Sequence, residues 1–119
     1  MDVMVIGAST NPRRTSNEAI KMLRSYGHDI VAAIGSKVDS IGDVAITDTR
    51  PELEQIDTIT LYVNPSILRS YIDYIIDLQP RRVIFNPGTE DQDIMQRFAQ
   101  AGILVEEACT LVLLRTNQF

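Results

Sequence analysis

Short apolar runs alternate with helical patterns along the chain, and this alternation constrains the fold more than any other feature. The first run extends from Val3 to Ile6 and stops at Gly7, after which apolar residues fall at helical spacing until Gly27. Continuous apolar runs of this length are typical of strands covered on both faces of a parallel sheet. Because strands that alternate with helices favour right-handed crossovers, the pattern predicts an α/β fold with a mainly parallel sheet.

Hydrophobic periodicity predicts helices and strands along all 119 residues, which are expected to form one domain. Strands are predicted at 3–6, 30–34, 44–46, 58–63, 82–85 and 103–105. Helices are predicted from about 15 to 26, from Thr49 for a short stretch, from 67 to 76, and from 90 to 101, with 39–42 as a loop and an apolar end at 109–114. A sheet of about five strands at this length predicts a three-layer, doubly wound, Rossmann-like domain with the strand order 3-2-1-4-5.

Small, polar and proline residues follow four of the predicted strands. In a doubly wound sheet, ligands bind beyond the carboxyl ends of the strands, where the winding reverses. The sequence therefore predicts a ligand crevice bordered by residues 7–14, 35–37, 64–65 and 86–89.

The first of these turns has the features of an anion site. Thr15 and Glu18 have the spacing of a capping box, and Ser16 is an equally good N-cap, so a helix is expected to begin here. A helix start favours bound anions, and hydrogen-bond donors and positive charges are supplied by Ser9, Asn11, Arg13 and Arg14. The turn lacks the glycines of the G-x-G-x-x-G fingerprint that NAD enzymes use. A polar loop with two solvated arginines is the alternative interpretation.

The end of the second strand distinguishes between nucleotides. NAD enzymes carry an acidic residue there for the ribose hydroxyls, whereas this chain has Gly35-Ser36-Lys37. A lysine beside a serine suits a phosphorylated ribose, as in coenzyme A or NADP. A solvated surface lysine explains the same residues equally well.

Composition excludes several classes of function. The formal net charge of −5 disfavours nucleic acids and anionic membranes as partners. With one histidine and one cysteine, a zinc site of the usual kind is not expected. His28 is expected to be a surface loop residue and Cys109 to be buried and inert. No targeting or membrane-spanning segment is predicted, so we expect a cytoplasmic protein.

At this point the sequence resembles the small, single-domain CoA-binding proteins, which share a fold with the N-terminal domain of the succinyl-CoA synthetase alpha subunit. The resemblance covers essentially the whole chain. It rests on Val5-Ile-Gly-Ala-Ser9 with Asn11-Pro12, Arg14 and Ser16, on Ile41-Gly42, Tyr62-Val-Asn-Pro65 and Ile84-Phe-Asn-Pro-Gly-Thr-Glu90, and on Gly102 followed by Cys109.

The resemblance implies which residues border each part of the coenzyme. The pyrophosphate would meet Gly7, Ala8, Ser9, Asn11 and Arg14, with Arg13 and Ser16 beside them. Lys37 would approach the phosphorylated ribose, Asn64 and Pro65 the adenosine, and Pro87 and Gly88 the pantetheine. Many relatives have a proline before the lysine, which this chain replaces. Nothing in the chain matches the synthetase's catalytic phosphohistidine domain.

We therefore expect a protein that binds coenzyme A or an acyl-CoA and has no catalytic machinery of its own. One alternative is an NADP-linked oxidoreductase or nicotinamide-sensing domain. Another is a non-binding scaffold that associates with itself, for which residues 111–114 offer an apolar surface. The protein partners considered are a second copy of the chain and a partner enzyme.

Overall fold

A seven-stranded sheet forms the middle layer of the structure, a computed structural model that describes residues 1–119. Its strands are β1 (Asp2–Ile6), β2 (Asp29–Ile34), β3 (Asp39–Ile41), β4 (Val44–Thr47), β5 (Thr58–Leu61), β6 (Arg82–Phe85) and β7 (Leu104–Glu107). They lie in the order β3-β4-β2-β1-β5-β6-β7. All neighbours are parallel except β3 and β4.

Helices cover both faces of this sheet. They are α1 (Thr15–Ser25), α2 (Pro65–Leu68), α3 (Ile72–Leu78), α4 (Gln92–Gln100) and α5 (Thr110–Arg115), with a turn of 3₁₀ helix at Arg69–Tyr71 between α2 and α3. No helix is long and apolar enough to cross a bilayer.

The apolar run of β1 is explained by burial on two sides. Met4 and Ile6 belong to the core beneath α3 and α4, whereas Val3 and Val5 belong to the core beneath α1 and α5. All four side chains are fully buried. The predicted α/β class and the doubly wound parallel sheet are therefore confirmed.

The strand count differs from the prediction at the edges of the sheet. The order β4-β2-β1-β5-β6 reproduces the predicted 3-2-1-4-5, and β3 and β7 extend it at either side. β3 forms where a loop was predicted, because Gly42 adopts a φ of +57° and closes a hairpin with β4. Arg24 of α1 holds that hairpin through an ion pair with Asp43 at 2.6 Å.

Two helix predictions were wrong. Residues 48–57 form a loop instead of a short helix from Thr49, and the helix predicted at 67–76 is interrupted by the 3₁₀ turn. The loop is fixed from outside: Arg50 donates to the carbonyl of Ser70 at 2.6 Å, and the hydroxyl of Tyr74 donates to the carbonyl of Pro51. Tertiary contacts thus override the local helical preference.

The apolar end of the chain closes the core. Leu111, Leu113 and Leu114 of α5 are buried, and only Val112 among these four residues is exposed. The continuous apolar surface on which the self-association alternative depended is therefore not present.

His28 is half-buried at the amino end of the sheet, which corrects its assignment as a surface residue. Its Nδ1 atom has no hydrogen-bond partner, and its ring packs edge-on against Phe119 at a centroid distance of 4.9 Å. Burial of the imidazole lowers the pKa of His28, and the positive charges of the amino terminus and Arg82 act in the same direction.

We expect the free energy of unfolding to fall as the pH is lowered through the unfolded-state pKa of His28. Because the pKa of His28 is lower in the folded state than the ordinary histidine value of 6.5, the unfolded chain takes up the proton first, and stability is lost from about pH 6.5 downward. Urea unfolding at roughly pH 7.5 and pH 5.5 measures this loss. The variant His28→Gln should lose less of its free energy of unfolding between these two pH values. If the free energy of unfolding of the variant depended on pH as that of the wild type does, His28 would not be the cause of the loss.

Candidate binding site

A cavity of about 910 Å³ lies beyond the carboxyl ends of the strands, as the strand-end pattern predicted. Five strands contribute to its wall, because residues that follow β1, β2, β4, β5 and β6 all line it. A smaller pocket of about 290 Å³ adjoins it and shares Ala8, Ser9, Arg14 and Ser36. Together they form one continuous concave surface at the switch point between β1 and β5.

The loop after β1 is held tightly against the ends of β2 and β5. The backbone N–H groups of Gly7 and Ala8 both donate to the carbonyl of Ile34, at 2.8 and 2.9 Å. Gly7 has a φ of +99°, and a Cβ atom there would lie 2.7 Å from the backbone of Tyr62. Only glycine fits this position, so Gly7 serves the close packing of loop and strand.

Asn17, which no sequence motif indicated, fixes the next part of this loop. Its side chain is buried and donates from Nδ2 to the carbonyl of Ser9 at 3.0 Å. Within the loop, Ser9 accepts from the N–H of Asn11, and Asn11 accepts from the N–H of Arg13. These bonds give the loop one defined shape.

Helix α1 begins without a side-chain cap. Its N-cap residue is Arg14, which provides no capping hydrogen bond, so the predicted capping box of Thr15 and Glu18 was wrong by one residue. The backbone N–H groups of Thr15 and Ser16 make no hydrogen bond within the protein, and both residues line the cavity. Free N–H groups at the positive end of a helix favour an anion.

Positive side chains line the same surface as this helix start. Arg13 and Arg14 line the cavity, and Arg14 and Lys37 line the smaller pocket together with Ser36, Thr10 and Asn11. With Ser9, two cations and four polar side chains surround this small pocket and form a donor set suited to a phosphate group.

Most of the predicted site residues border this surface. The main cavity is lined by Gly7, Ala8, Ser9, Arg13, Arg14, Ser16, Asn64, Pro87 and Gly88. The smaller pocket adds Asn11 and Lys37. Pro65 lines neither, because it occupies the first turn of α2, where its ring starts the helix.

Gly35, Ser36 and Thr89 also line the cavity, and they lie in the turns that were predicted to border it. Seven other lining residues were not predicted: Thr15, Ile34, Asp48, Tyr62, Val63, Ile67 and Tyr71. Asp48 directly follows β4, so the strand-end rule would have found it. Ile67 and Tyr71 have the spacing of buried helix positions, yet both line the cavity, and Ile67 is 49% exposed.

Asn86 has a structural role beneath the cavity. Its buried side chain donates to the hydroxyl of Thr60 at 2.6 Å and to the carbonyl of Leu61 at 2.9 Å. It accepts from the backbone N–H of Thr110, the first residue of α5, at 2.9 Å. Asn86 thus joins β5, β6 and α5 through one side chain.

Tyr62 and Cys109 are the titratable side chains considered at this end of the sheet. Burial raises the pKa of Tyr62 to about 12, so its phenol stays protonated at neutral pH. Cys109 is half-buried at the N-cap of α5, which corrects its assignment as buried. No three His, Cys, Asp or Glu side chains lie close enough together to hold a metal ion.

The donor set fits a phosphorylated nucleotide. Free N–H groups at α1, two arginines and Lys37 offer several anion-binding positions along one surface. Pro87 and Gly88 also line the cavity and contribute no large side chain to it. The volume lies in the range that is usual for small-molecule sites.

Comparisons with known proteins agree with this geometry. The family model described as "CoA binding domain" matches residues 2–115. The crystal structure of an uncharacterized protein is 36% identical, with a TM-score of 0.95 over 99% of this chain and 97% of that chain. No curated protein shows significant similarity to the sequence.

More distant structures share the fold alone. A Thermus thermophilus protein, cell-free ID.343, is 18% identical with a TM-score of 0.85, covering 99% of this chain and 90% of its own. A hypothetical protein from Pyrococcus horikoshii OT3 is 20% identical with a TM-score of 0.82, covering 92% and 78%.

Proposed function

The chain belongs to the CoA binding domain family, and from that premise we propose that it binds coenzyme A or an acyl-CoA in the cavity at the strand ends. The observation that carries the proposal is the uncapped start of α1 beside Arg13 and Arg14. Two free N–H groups and two guanidinium groups meet there, which is what a pyrophosphate requires.

With the pyrophosphate at the start of α1, the other parts of the coenzyme can be assigned to neighbouring residues. Lys37 and Ser36 in the smaller pocket would hold the phosphate of the ribose. Pro87 and Gly88 would border the pantetheine on the far side of the cavity. The bound coenzyme supplies a thiol that carries acyl groups, whereas the residues of the chain bind and orient it.

Calorimetric titration with coenzyme A, dephospho-coenzyme A, NADP and NAD tests the assignment. We expect coenzyme A to bind and its dephospho form to bind more weakly, because Lys37 loses its anionic partner. No binding of coenzyme A at concentrations of about 1 mM, which corresponds to roughly −4 kcal/mol, would reject the proposal.

NADP is the second candidate, because Ser36 and Lys37 suit any phosphorylated ribose. A thermal melt separates the two ligands, since a ligand that binds only the folded state raises the melting temperature. If NADP raised the melting temperature of the protein and coenzyme A did not, NADP would replace coenzyme A as the proposed ligand.

Replacing Arg14 with alanine should make the binding free energy of coenzyme A less favourable by about 1–3 kcal/mol, the scale of a hydrogen bond to a charged group. Arg14 is exposed and caps nothing, so the free energy of unfolding should hardly change. Arg97→Ala is the matched control, because Arg97 is an exposed arginine of α4 outside the cavity. Equal affinities of the two variants, by titration calorimetry, would exclude Arg14 from the site.

A further inference from the structure

Two arginines outside the cavity hold one segment of its wall. The segment Pro65–Tyr71 comprises α2 and the 3₁₀ turn, and its residues Ile67 and Tyr71 line the cavity. Arg50 lies in the loop before β5 and Arg69 lies in the 3₁₀ turn, and neither side chain lines the cavity or the smaller pocket. Their contacts therefore act on the wall and not on a ligand.

The segment has little regular structure of its own. α2 has four residues and the 3₁₀ turn has three, and helices of this length are not stable without tertiary contacts. Leu68 is fully buried and anchors the middle of the segment in the core, whereas Ile67, Arg69 and Ser70 are exposed. The exposed part of the segment thus depends on polar partners for its position.

Arg50 contacts the segment at three points. Its guanidinium donates to the carbonyl of Ser70 at 2.6 Å and to the hydroxyl of Ser70 at 3.1 Å, and it lies 4.0 Å from the centre of the ring of Tyr71. The hydroxyl of Ser70 in turn donates to the carbonyl of Ile67 at 2.8 Å. One side chain is therefore linked to both residues of the segment that line the cavity.

Arg69 joins the same segment to the start of α4. Its Nη2 atom lies 3.1 Å from Asp91, and its Nη1 atom lies 3.3 Å from Asp93. Asp91 is itself fixed, because it caps α4 by accepting from the N–H of Ile94 at 3.0 Å. An isolated surface ion pair contributes little to stability. A guanidinium shared by two carboxylates at one helix start nevertheless restricts where the 3₁₀ turn can lie.

We propose that Arg50 and Arg69 are positioning residues of the cavity, which hold the segment Pro65–Tyr71 in the place where it can contact a ligand. Because these contacts exist without a ligand, Ile67 and Tyr71 are in place before it arrives, which reduces the entropy lost on binding. The inference rests on the proposed function, because it takes coenzyme A as the ligand of the cavity.

Hydrogen exchange of the backbone amides of residues 67–71 measures the positioning without a ligand. We expect Arg50→Ala and Arg69→Ala to exchange these amides roughly threefold to tenfold faster than the wild type, because local opening becomes easier. Arg97→Ala is the matched control: Arg97 pairs with the same Asp93, at 3.4 Å, but only within α4. Its removal should leave the exchange of residues 67–71 unchanged.

Titration calorimetry connects the position of the segment with ligand binding. Each of the two alanine variants should bind coenzyme A about threefold to tenfold more weakly, because the apparent affinity falls with the fraction of molecules whose wall is in place. At saturating coenzyme A, the exchange of residues 67–71 in the variants should return to the wild-type rate, since the ligand then holds the segment. Arg69→Lys should retain only part of the affinity, because an ammonium group does not span two carboxylates as a guanidinium does.

Failure of this inference and failure of the proposed function give different results. Wild-type exchange rates in both alanine variants would overturn the inference, and so would faster exchange with unchanged affinity for coenzyme A. If the wild-type protein does not bind coenzyme A, the proposed function fails and the inference fails with it. Urea unfolding verifies that each variant folds, and the lysine variant at the same position replaces an alanine variant that does not.

Discussion

Replacing Gly35 with alanine is expected to destabilise the protein by about 3 kcal/mol or more, near the upper end of the range for overpacked sites. A Cβ atom at this position would lie 2.3 Å from the carbonyl oxygen of Ala8 and 3.0 Å from a methyl group of Ile46. The Ala8 backbone cannot move aside freely, because its N–H donates to Ile34. Urea unfolding measures the loss.

Gly42→Ala is the matched control for this substitution. A Cβ atom there meets nothing within 4 Å, and only the φ of +57° causes strain, of about 1–2 kcal/mol. If Gly35→Ala destabilised the protein no more than Gly42→Ala, the two loops would be more loosely packed than the structure indicates.

Replacing Asn86 with alanine is the second substitution with a large expected effect, a loss of about 3 kcal/mol. It removes three hydrogen bonds, to Thr60, Leu61 and Thr110, in a place that water does not reach. The backbone N–H of Thr110 then remains buried without a partner at the start of α5. Chemical denaturation measures the change in the free energy of unfolding. Circular dichroism at 222 nm, the usual helix band, monitors the unfolding transition.

Asn64→Ala provides the comparison, because Asn64 is an exposed asparagine with one structural bond. Its side chain caps α2 by accepting from the N–H of Ile67 at 3.0 Å, and a lost cap costs about 1 kcal/mol. Similar losses from the two variants would mean that α5 does not depend on Asn86.

The sequence predicts those parts of the fold that arise from local patterns. β1 was identified because burial on both faces requires an unbroken apolar run, which Val3 to Ile6 provides. Gly7, Ser9 and Arg14 were placed in a crevice because parallel strands end at one edge of a sheet. Both inferences depend on geometry that every sheet of this class shares.

Other parts of the site depend on tertiary contacts and could not be predicted in this way. Ile67 and Tyr71 fit a continuous amphipathic helix, but the segment breaks into a 3₁₀ turn beside Arg50. Thr15 and Glu18 fit a capping box, but the helix begins one residue earlier. In both segments, side-chain spacing alone did not determine where the helix begins or where it is interrupted.

Under the proposed function, the uncapped start of α1 exchanges stability of the fold for ligand binding. A serine, threonine, aspartate or asparagine at position 14 would cap the helix and stabilise the fold by about 1 kcal/mol. Arg14 forgoes this gain and leaves two N–H groups open to an anion. A variant with aspartate at this position should therefore be more stable than the wild type and, under the proposed function, should bind coenzyme A more weakly.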